Sequence, residues 1–410
     1  MKYIQGDPSL YPIDWSQERI LAFRQTLMNW YDATKRELPW RGSRNPYKIW
    51  VSEIMAQQTQ LVTVIPYYER FIEELPTIQS LAEAPEETIL TLWQGLGYYS
   101  RARNMQTAAQ QVMSEYGGQM PDTMKGLMSL KGIGPYTAAA IGSIVYDLVE
   151  PAIDGNLMRV IARMFELEAD ISQPKSRKIF AAILYQLIDP ARPGDFNQAL
   201  MDLGATIMTP ANLTPELNPI KDFDLSYANQ SAHLYPVKKK KTKVSKHQLI
   251  AYVIENEKGE WLMRKHGETE LLTGLWHFPI IEQSMVMESV TESELIEPFD
   301  DWYQKQLEQL EITLPDDLTS ERQFVLHEDY WTYSPQPALQ RELKEVKHIF
   351  SHRVWHVQVL PVKWKPSQHQ LYVNLAVKND VFQWIAPQKI QQIPLSTLQQ
   401  KLIHAVKGDS

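Results

Sequence analysis

Two carboxylates in this chain stand where acid-base chemistry could use them differently. Glu53 sits in Trp50-Val51-Ser52-Glu53-Ile54-Met55, on an otherwise apolar helix face with Trp50, Ile54 and Met55 around it. Desolvation there would raise its pKa and keep it protonated, which makes it a candidate general acid. Asp154, in Asp154-Gly155-Asn156, adjoins a helix start and a polar neighbour, so it is expected to stay ionised and to stabilise or attack a developing cation. Two carboxylates with such different duties could do acid-base chemistry together, one giving a proton to a leaving group and the other facing developing positive charge. Taken alone, a glutamate among apolar residues is more often the exposed side of an amphipathic helix, and motif context must decide.

The strongest local motif is Leu130-Lys131-Gly132-Ile133-Gly134-Pro135-Tyr136-Thr137-Ala138, with two glycines at the turn between two helical patterns. Backbone can approach a ligand closely at Gly132 and Gly134. A helix beginning at Pro135 would aim unpaired amides and its positive dipole end outward, which suits a phosphate. The plain alternative is an ordinary glycine-containing helical turn. Asp154 follows about 20 residues later, after an apolar helix from Ala138 to Val149, and so lands beside this hairpin.

The elements that must position these residues follow from periodicity. Between 15 and about 205, apolar residues recur at helical spacing, as in Ile20 to Tyr31, Trp50 to Phe71 and Arg177 to Leu187, so this half is all-α. Residues 209 to 236 lose the period and carry Pro210, Pro215, Pro219 and Pro236, running into Lys238 to Lys241, Lys243 and Lys246, which reads as a linker. The lysine run is either a solvated tether or a tether that also lies along phosphate backbone. Beyond it, Gln248 to Ile254, Trp261 to Arg264 and Trp355 to Trp364 read as strands, mixed with helices near Glu292 to Leu310 and Leu395 to Val406. The expected organisation is a helical domain over 1–230, a Lys-rich linker over 231–246 and an α+β domain over 247–410.

Composition narrows the classes. The chain has 410 residues, 44% of them hydrophobic and 22% charged, a formal charge of -8 and no cysteine. That is enough for two cores and excludes disulfides and thiolate metal sites. No apolar run approaches the roughly 20 residues of a membrane helix, and Met1 to Trp15 lacks a secretory signal pattern, so a cytoplasmic, nucleoid-associated address and no membrane partner are expected.

The hairpin followed by an aspartate at this distance resembles the helix-hairpin-helix glycosylase superfamily of base-excision repair. Leu38-Pro39-Trp40-Arg41, Asn45-Pro46-Tyr47-Lys48-Ile49-Trp50-Val51-Ser52-Glu53-Ile54-Met55-Ala56-Gln57-Gln58-Thr59, Gly95-Leu96-Gly97-Tyr98-Tyr99-Ser100-Arg101 and Phe196-Asn197-Gln198-Ala199-Leu200-Met201-Asp202 are similar to the adenine DNA glycosylase family known as MutY. The resemblance implies a monofunctional enzyme that removes adenine mispaired with 8-oxoguanine from double-stranded DNA, acting as a monomer. It assigns Glu53, Asp154 and Tyr136 to catalysis, and Trp40, Arg41, Gln198 and Asn156 to the pocket for the flipped adenine. Gln58 and Tyr98 match wedge positions that offset the cost of extrusion, a few kcal/mol. Thr59, Leu96, Gly97, Gly132 and Gly134 would share the duplex contact. Where strand-cleaving members carry a Schiff-base lysine, this chain has Tyr136, which cannot form an imine.

In the second half, Phe350-Ser351-His352 resembles the family's loop for 8-oxoguanine, with Ser351 reading the lesion's Hoogsteen edge, where oxidation turns an acceptor into a donor. The domain resembles the Nudix fold, but Arg341-Glu342-Leu343-Lys344-Glu345 only imitates the catalytic box, so magnesium-dependent hydrolysis is not expected. No metal is expected from His348, His352 and His356 either: their spacing would stack them on a helix, yet the segment alternates like a strand.

The departure comes after Ala205. The family's four cluster cysteines, spaced C-x6-C-x2-C-x5-C, are here Met208, Pro215, Asn218 and Asp224, so no [4Fe-4S] cluster and no required cofactor are expected. Leu213, Leu217, Ile220, Phe223 and Leu225 would have to pack that loop hydrophobically. Two other classes stay open: a glycosylase-lyase acting on oxidised pyrimidines, and a non-catalytic lesion-binding module.

Overall fold

In the computed structural model the described residues are 7–210, 215–239, 245–267, 270, 272–282, 302, 305, 324–326, 343–350, 353–364 and 381–407. They form two compact units: Met1–Pro85 with Ser100–Lys241, and Glu86–Tyr99 with Thr242–Ser410. The architecture is helical and then α+β, as the periodicities require.

The helices run α1 (Gln17–Thr34), α2 (Pro46–Ala56), α3 (Leu61–Glu74), α4 (Ile78–Glu83), α5 (Glu86–Leu92), α6 (Ser100–Glu115), α7 (Met124–Ser129), α8 (Pro135–Tyr146), α9 (Gly155–Met164), α10 (Arg177–Leu187), α11 (Pro193–Thr206) and the short α12 (Leu225–Ala228). All but α5 belong to the first unit. The apolar run from Trp50 to Phe71 is two helices rather than one. The chain turns between α2 and α3, where Gln58 takes φ 58°. Start signals work locally: the Asn45 side chain caps α2 by accepting from Lys48 N at 3.1 Å, and Pro46 fills the first position, where its missing N–H costs nothing. The core of this unit gathers Phe23 and Leu27 of α1, Leu157 and Ile161 of α9, Phe180 and Leu184 of α10, and Phe196 and Leu203 of α11, all with no exposed surface.

Residues of the expected tether are partly structured. Ala232–Leu234 form a 3-10 turn, and Val237 O accepts from Ile171 N at 3.1 Å. Ser245 already opens the first strand of the second unit.

Among the described residues that unit is built on one eight-stranded sheet. Its strands are β1 (Ser245–Glu255), β2 (Trp261–Lys265), β3 (Trp276–His277), β4 (Ile280–Glu282), β5 (Phe324–Leu326), β6 (Glu345–Ile349), β7 (Arg353–Trp364) and β8 (Phe382–Ile385), followed by α13 (Thr397–Lys407). β1 and β7 pair in parallel from Ser245 opposite Arg353 to Glu255 opposite Lys363, while the remaining pairings are antiparallel. Alternate residues Leu249, Ala251 and Val253 of β1 enter one core with Val357 and Val359 of β7 and Leu398 and Leu402 of α13, the period of two that a half-covered sheet imposes. The expected helix near Glu292 to Leu310 falls almost wholly outside the described residues.

Candidate active site

Glu53 comes from the last turns of α2, Tyr136 from the first turn of α8, and Asp154 from the cap of α9. The Tyr136 hydroxyl donates to Glu53 Oε2 at 2.6 Å. Protein packs around the Glu53 carboxyl although the residue as a whole is only half-buried. Burial pushes that carboxyl up to about 7, with the Asp154 charge adding to the rise and the Tyr136 bond and Arg41 charge opposing it. Burial and the two carboxylates hold the Tyr136 phenol well above the usual phenol range, so it remains a donor.

Asp154 is the N-cap of α9. Its Oδ1 accepts from Leu157 N at 2.8 Å and its Oδ2 from Asn156 Nδ2 at 2.8 Å. Burial raises its pKa above the ordinary value, and these N–H donors and Arg159 pull it back. The hairpin is built as expected: α8 starts at Pro135, Gly132 has φ 78°, and a Cβ there would meet Asn104 Cβ at 2.8 Å. Only glycine fits that approach.

Arg41 stands where its charge reaches Glu53, and its position is fixed by groups that sequence reasoning missed. It donates to Asp202 Oδ2 at 2.8 Å and to the Tyr31 hydroxyl at 3.0 Å, and Arg36 grips Asp202 from another side. Asp202 is 2% exposed; burial would raise its pKa, and the two guanidiniums more than reverse that. Arg101 is a second omission: its Nη1 donates to Ile54 O at 2.7 Å and Gln57 O at 2.6 Å, closing the C-terminal end of the helix that carries Glu53. Arg159 is a third. It holds Asn156 Oδ1 at 2.7 Å, Gly204 O at 2.6 Å and Met208 O at 2.7 Å, tying Asp154's partner to the end of α11. Its position three residues after Asn156 was the available signal, since that spacing shares a helix face.

Other expected residues are placed differently. Trp40 is buried and packs edge-on against Tyr68 at 4.9 Å. Gln198 lines a cavity of about 150 Å³ with Ser143, Asp147 and Arg192, and Glu53, Tyr136 and Asp154 are not part of that lining. Gln58 and Tyr98, the two expected wedges, are both exposed and both adopt positive φ, 58° and 50°. Such backbone is costly for a residue with a side chain and persists only where the surroundings impose it. Thr59 donates its hydroxyl to Gln57 O at 3.3 Å. The turn of Leu96, Gly97 and Tyr98 belongs to the second unit, where Gly97 O accepts from Trp93 Nε1 at 3.1 Å and Tyr99 donates to Leu395 O at 2.9 Å. Leu96 is 6% exposed, so it is core and not a surface contact.

In the second unit Phe350 N donates to Arg353 O at 2.8 Å across the β6–β7 connection, and its ring stands edge-on to Trp355 at 4.8 Å. Ser351 and His352 lie outside the described residues.

The loop at the four cluster positions is held in part by the expected hydrophobic packing. Ile220 is buried and Phe223 packs on Trp15 and Phe23, but Leu217 and Leu225 are exposed, and Leu213 lies outside the described residues. Polar bonds complete the fastening. Asn218 Nδ2 donates to Asp224 Oδ2 at 2.9 Å, Ser226 Oγ donates to Asp224 Oδ1 at 2.8 Å, and Asn218 Oδ1 accepts from Ile220 N at 3.1 Å. Two of the four ligand positions thus bind each other, and a set of Met208, Asn218 and Asp224 without a thiolate does not fit an iron-sulfur cluster.

Residues 51–186 match the family model of the HhH-GPD superfamily base excision DNA repair protein, and residues 250–405 match that of the NUDIX domain. The class is therefore a helix-hairpin-helix repair protein that carries a Nudix-type domain. Adenine DNA glycosylase of Mus musculus is 46% identical over 216 residues, which is 50% of this chain and 42% of the mouse protein. That of Arabidopsis thaliana is 32% identical over 411 residues, covering 90% of this chain and 61% of the relative. That of Buchnera aphidicola subsp. Baizongia pistaciae is 36% identical over 264 residues, covering 63% and 74%. The chain belongs to the adenine DNA glycosylase family. It spans about two fifths of the mouse relative's length.

Proposed function

We propose that this protein is a monofunctional adenine DNA glycosylase that hydrolyses the N-glycosidic bond of adenine mispaired with 8-oxoguanine, and with guanine, in double-stranded DNA. The observation that carries the reading is the Glu53 carboxyl, poised at about 7 and hydrogen-bonded by Tyr136, in one electrostatic environment with Asp154. At neutral pH a large share of Glu53 is protonated and can deliver its proton to the departing base. The Asp154 carboxylate, fixed by Leu157 N and Asn156, supplies the negative charge that an oxocarbenium sugar needs. The residue that would be the lyase nucleophile is a neutral phenol already engaged with Glu53, which supports base removal without strand cleavage. Neither step uses a cofactor.

Gln58 and Tyr98 serve as wedges, Arg41 contacts the extruded base, and Phe350, Ser351 and His352 read the lesion. The test is adenine release by purified iron-free protein from duplexes holding adenine opposite 8-oxoguanine, guanine or thymine. Release opposite 8-oxoguanine and not thymine is the expected result. Borohydride trapping of a covalent protein-DNA product would instead establish the lyase, and binding without release the lesion-binding module.

A further inference from the structure

The sheet unit holds a second cluster of chemistry-bearing side chains, which base excision does not use. His266 follows β2, Glu270 lies in the turn after it, and His277 ends β3. Each can offer one ligand atom such that all three lie within 4.8 Å of one another. The two imidazoles stack with centroids 3.7 Å apart and planes 20° from parallel.

Each ring has one nitrogen already engaged. His266 Nδ1 meets Glu270 Oε2 at 2.9 Å, and His277 Nδ1 meets Phe278 O. A carbonyl oxygen only accepts, so Nδ1 of His277 carries the proton and Nε2 of the neutral ring keeps its lone pair. His277 is 5% exposed, and that Nε2 has no partner. A buried acceptor left unpaired costs free energy, and an oxygen behind the far ring nitrogen is the arrangement that orients metal-binding imidazoles. The cluster opens on a cavity of about 260 Å³ also lined by Arg264, Trp355 and Gln399. Gln399 Nε2, buried on that wall, likewise lacks a partner.

We propose that His266, Glu270 and His277 form a site for an imidazole-preferring divalent transition metal such as zinc, with its fourth position toward the cavity. Two imidazoles and one carboxylate are a donor set that zinc accepts, and a water in the fourth position would find a donor in Gln399. Tetrahedral ligand atoms at about 2.0–2.1 Å from zinc stand roughly 3.4 Å apart, so the side chains must draw in by up to about 1.4 Å. Arg264 is the internal competitor: its guanidinium holds both Glu270 oxygens, at 2.8 and 2.7 Å, and Gly267 N adds a third bond at 2.9 Å. The ion therefore binds against a resident cation. This inference is independent of the roles given to Glu53 and Asp154.

The test uses the full chain stripped with EDTA, titrated with zinc chloride and assayed for bound metal after desalting. One zinc per chain and a melting temperature several degrees higher at saturating zinc are expected. His266→Asn and His277→Asn should each weaken zinc binding by at least about tenfold, while melting in EDTA as the wild type does. Arg264→Met should tighten it. A wild type that holds no more zinc than the double histidine variant, or a His277→Asn protein that binds zinc unchanged, overturns the site. If Arg264→Met does not fold, the two histidine variants decide the matter.

Discussion

Replacing Tyr136 with Phe removes one hydrogen bond from the acid and should change how the reaction depends on pH. In the wild type the Tyr136 hydroxyl donates to Glu53 Oε2 at 2.6 Å, and this bond opposes the burial that lifts Glu53 to about 7. Hydrogen bonds to charged groups contribute about 1.5–3 kcal/mol, and one pKa unit is 1.36 kcal/mol, so its loss should raise the Glu53 pKa by about 1–2 units. With a pKa of about 7, the protonated fraction falls from about 90% at pH 6 to about 10% at pH 8, roughly a ninefold to tenfold loss of acid. At about 8–9 the same interval costs at most about twofold. The assay is single-turnover adenine release from an 8-oxoguanine:adenine duplex at both pH values. Any uniform loss from poorer positioning cancels in the ratio. A Tyr136→Phe protein that still slows about tenfold between those pH values would refute the assignment of Glu53 as the titrating acid held by Tyr136.

Glu53→Gln should bind the same duplex in a gel-shift assay and release no adenine. Because folding raises the Glu53 pKa from 4.5 to about 7, the wild type carries a penalty that is absent below about pH 4.5 and grows as pH rises to 7. Glu53→Gln should thus be the more stable protein at pH 8, by up to about 3 kcal/mol in urea denaturation, with the gap closing in acid. Asp224→Ala should destabilise the helical unit by about 2–4 kcal/mol in the same measurement, since it strips the α12 cap and leaves Nδ2 of buried Asn218 without its acceptor. Ser351→Ala should lower the preference for 8-oxoguanine over guanine by about threefold to tenfold, the worth of one neutral hydrogen bond, in paired release assays.

Much of this site was legible in one dimension because its parts are local. A cap residue before a helix, a glycine at positive φ in a turn and a proline at the first helical position act within a few residues of themselves. For that reason Asp154, Gly132 and Pro135 announce their places in the sequence. The same holds for α10, whose apolar period sets both of its ends.

What connects these parts is not local, and the sequence does not state it. Asp202 is far along the chain from Arg36 and Arg41, and nothing in its neighbourhood marks it as their shared anchor. Leu96 and Leu225 look alike as apolar loop residues, yet one is buried and the other exposed, because burial depends on what the rest of the chain brings against each. His266, Glu270 and His277 are likewise joined only where β2 pairs with β3. From its residue types alone the sequence determined the two carboxylates, the phenol in place of a lysine and the absence of thiolates. Tertiary structure alone decided that Glu53 is poised near neutrality and that Asn218 bonds Asp224 in the loop at the four cluster positions, since desolvation and hydrogen bonding depend on distances that only the folded chain creates.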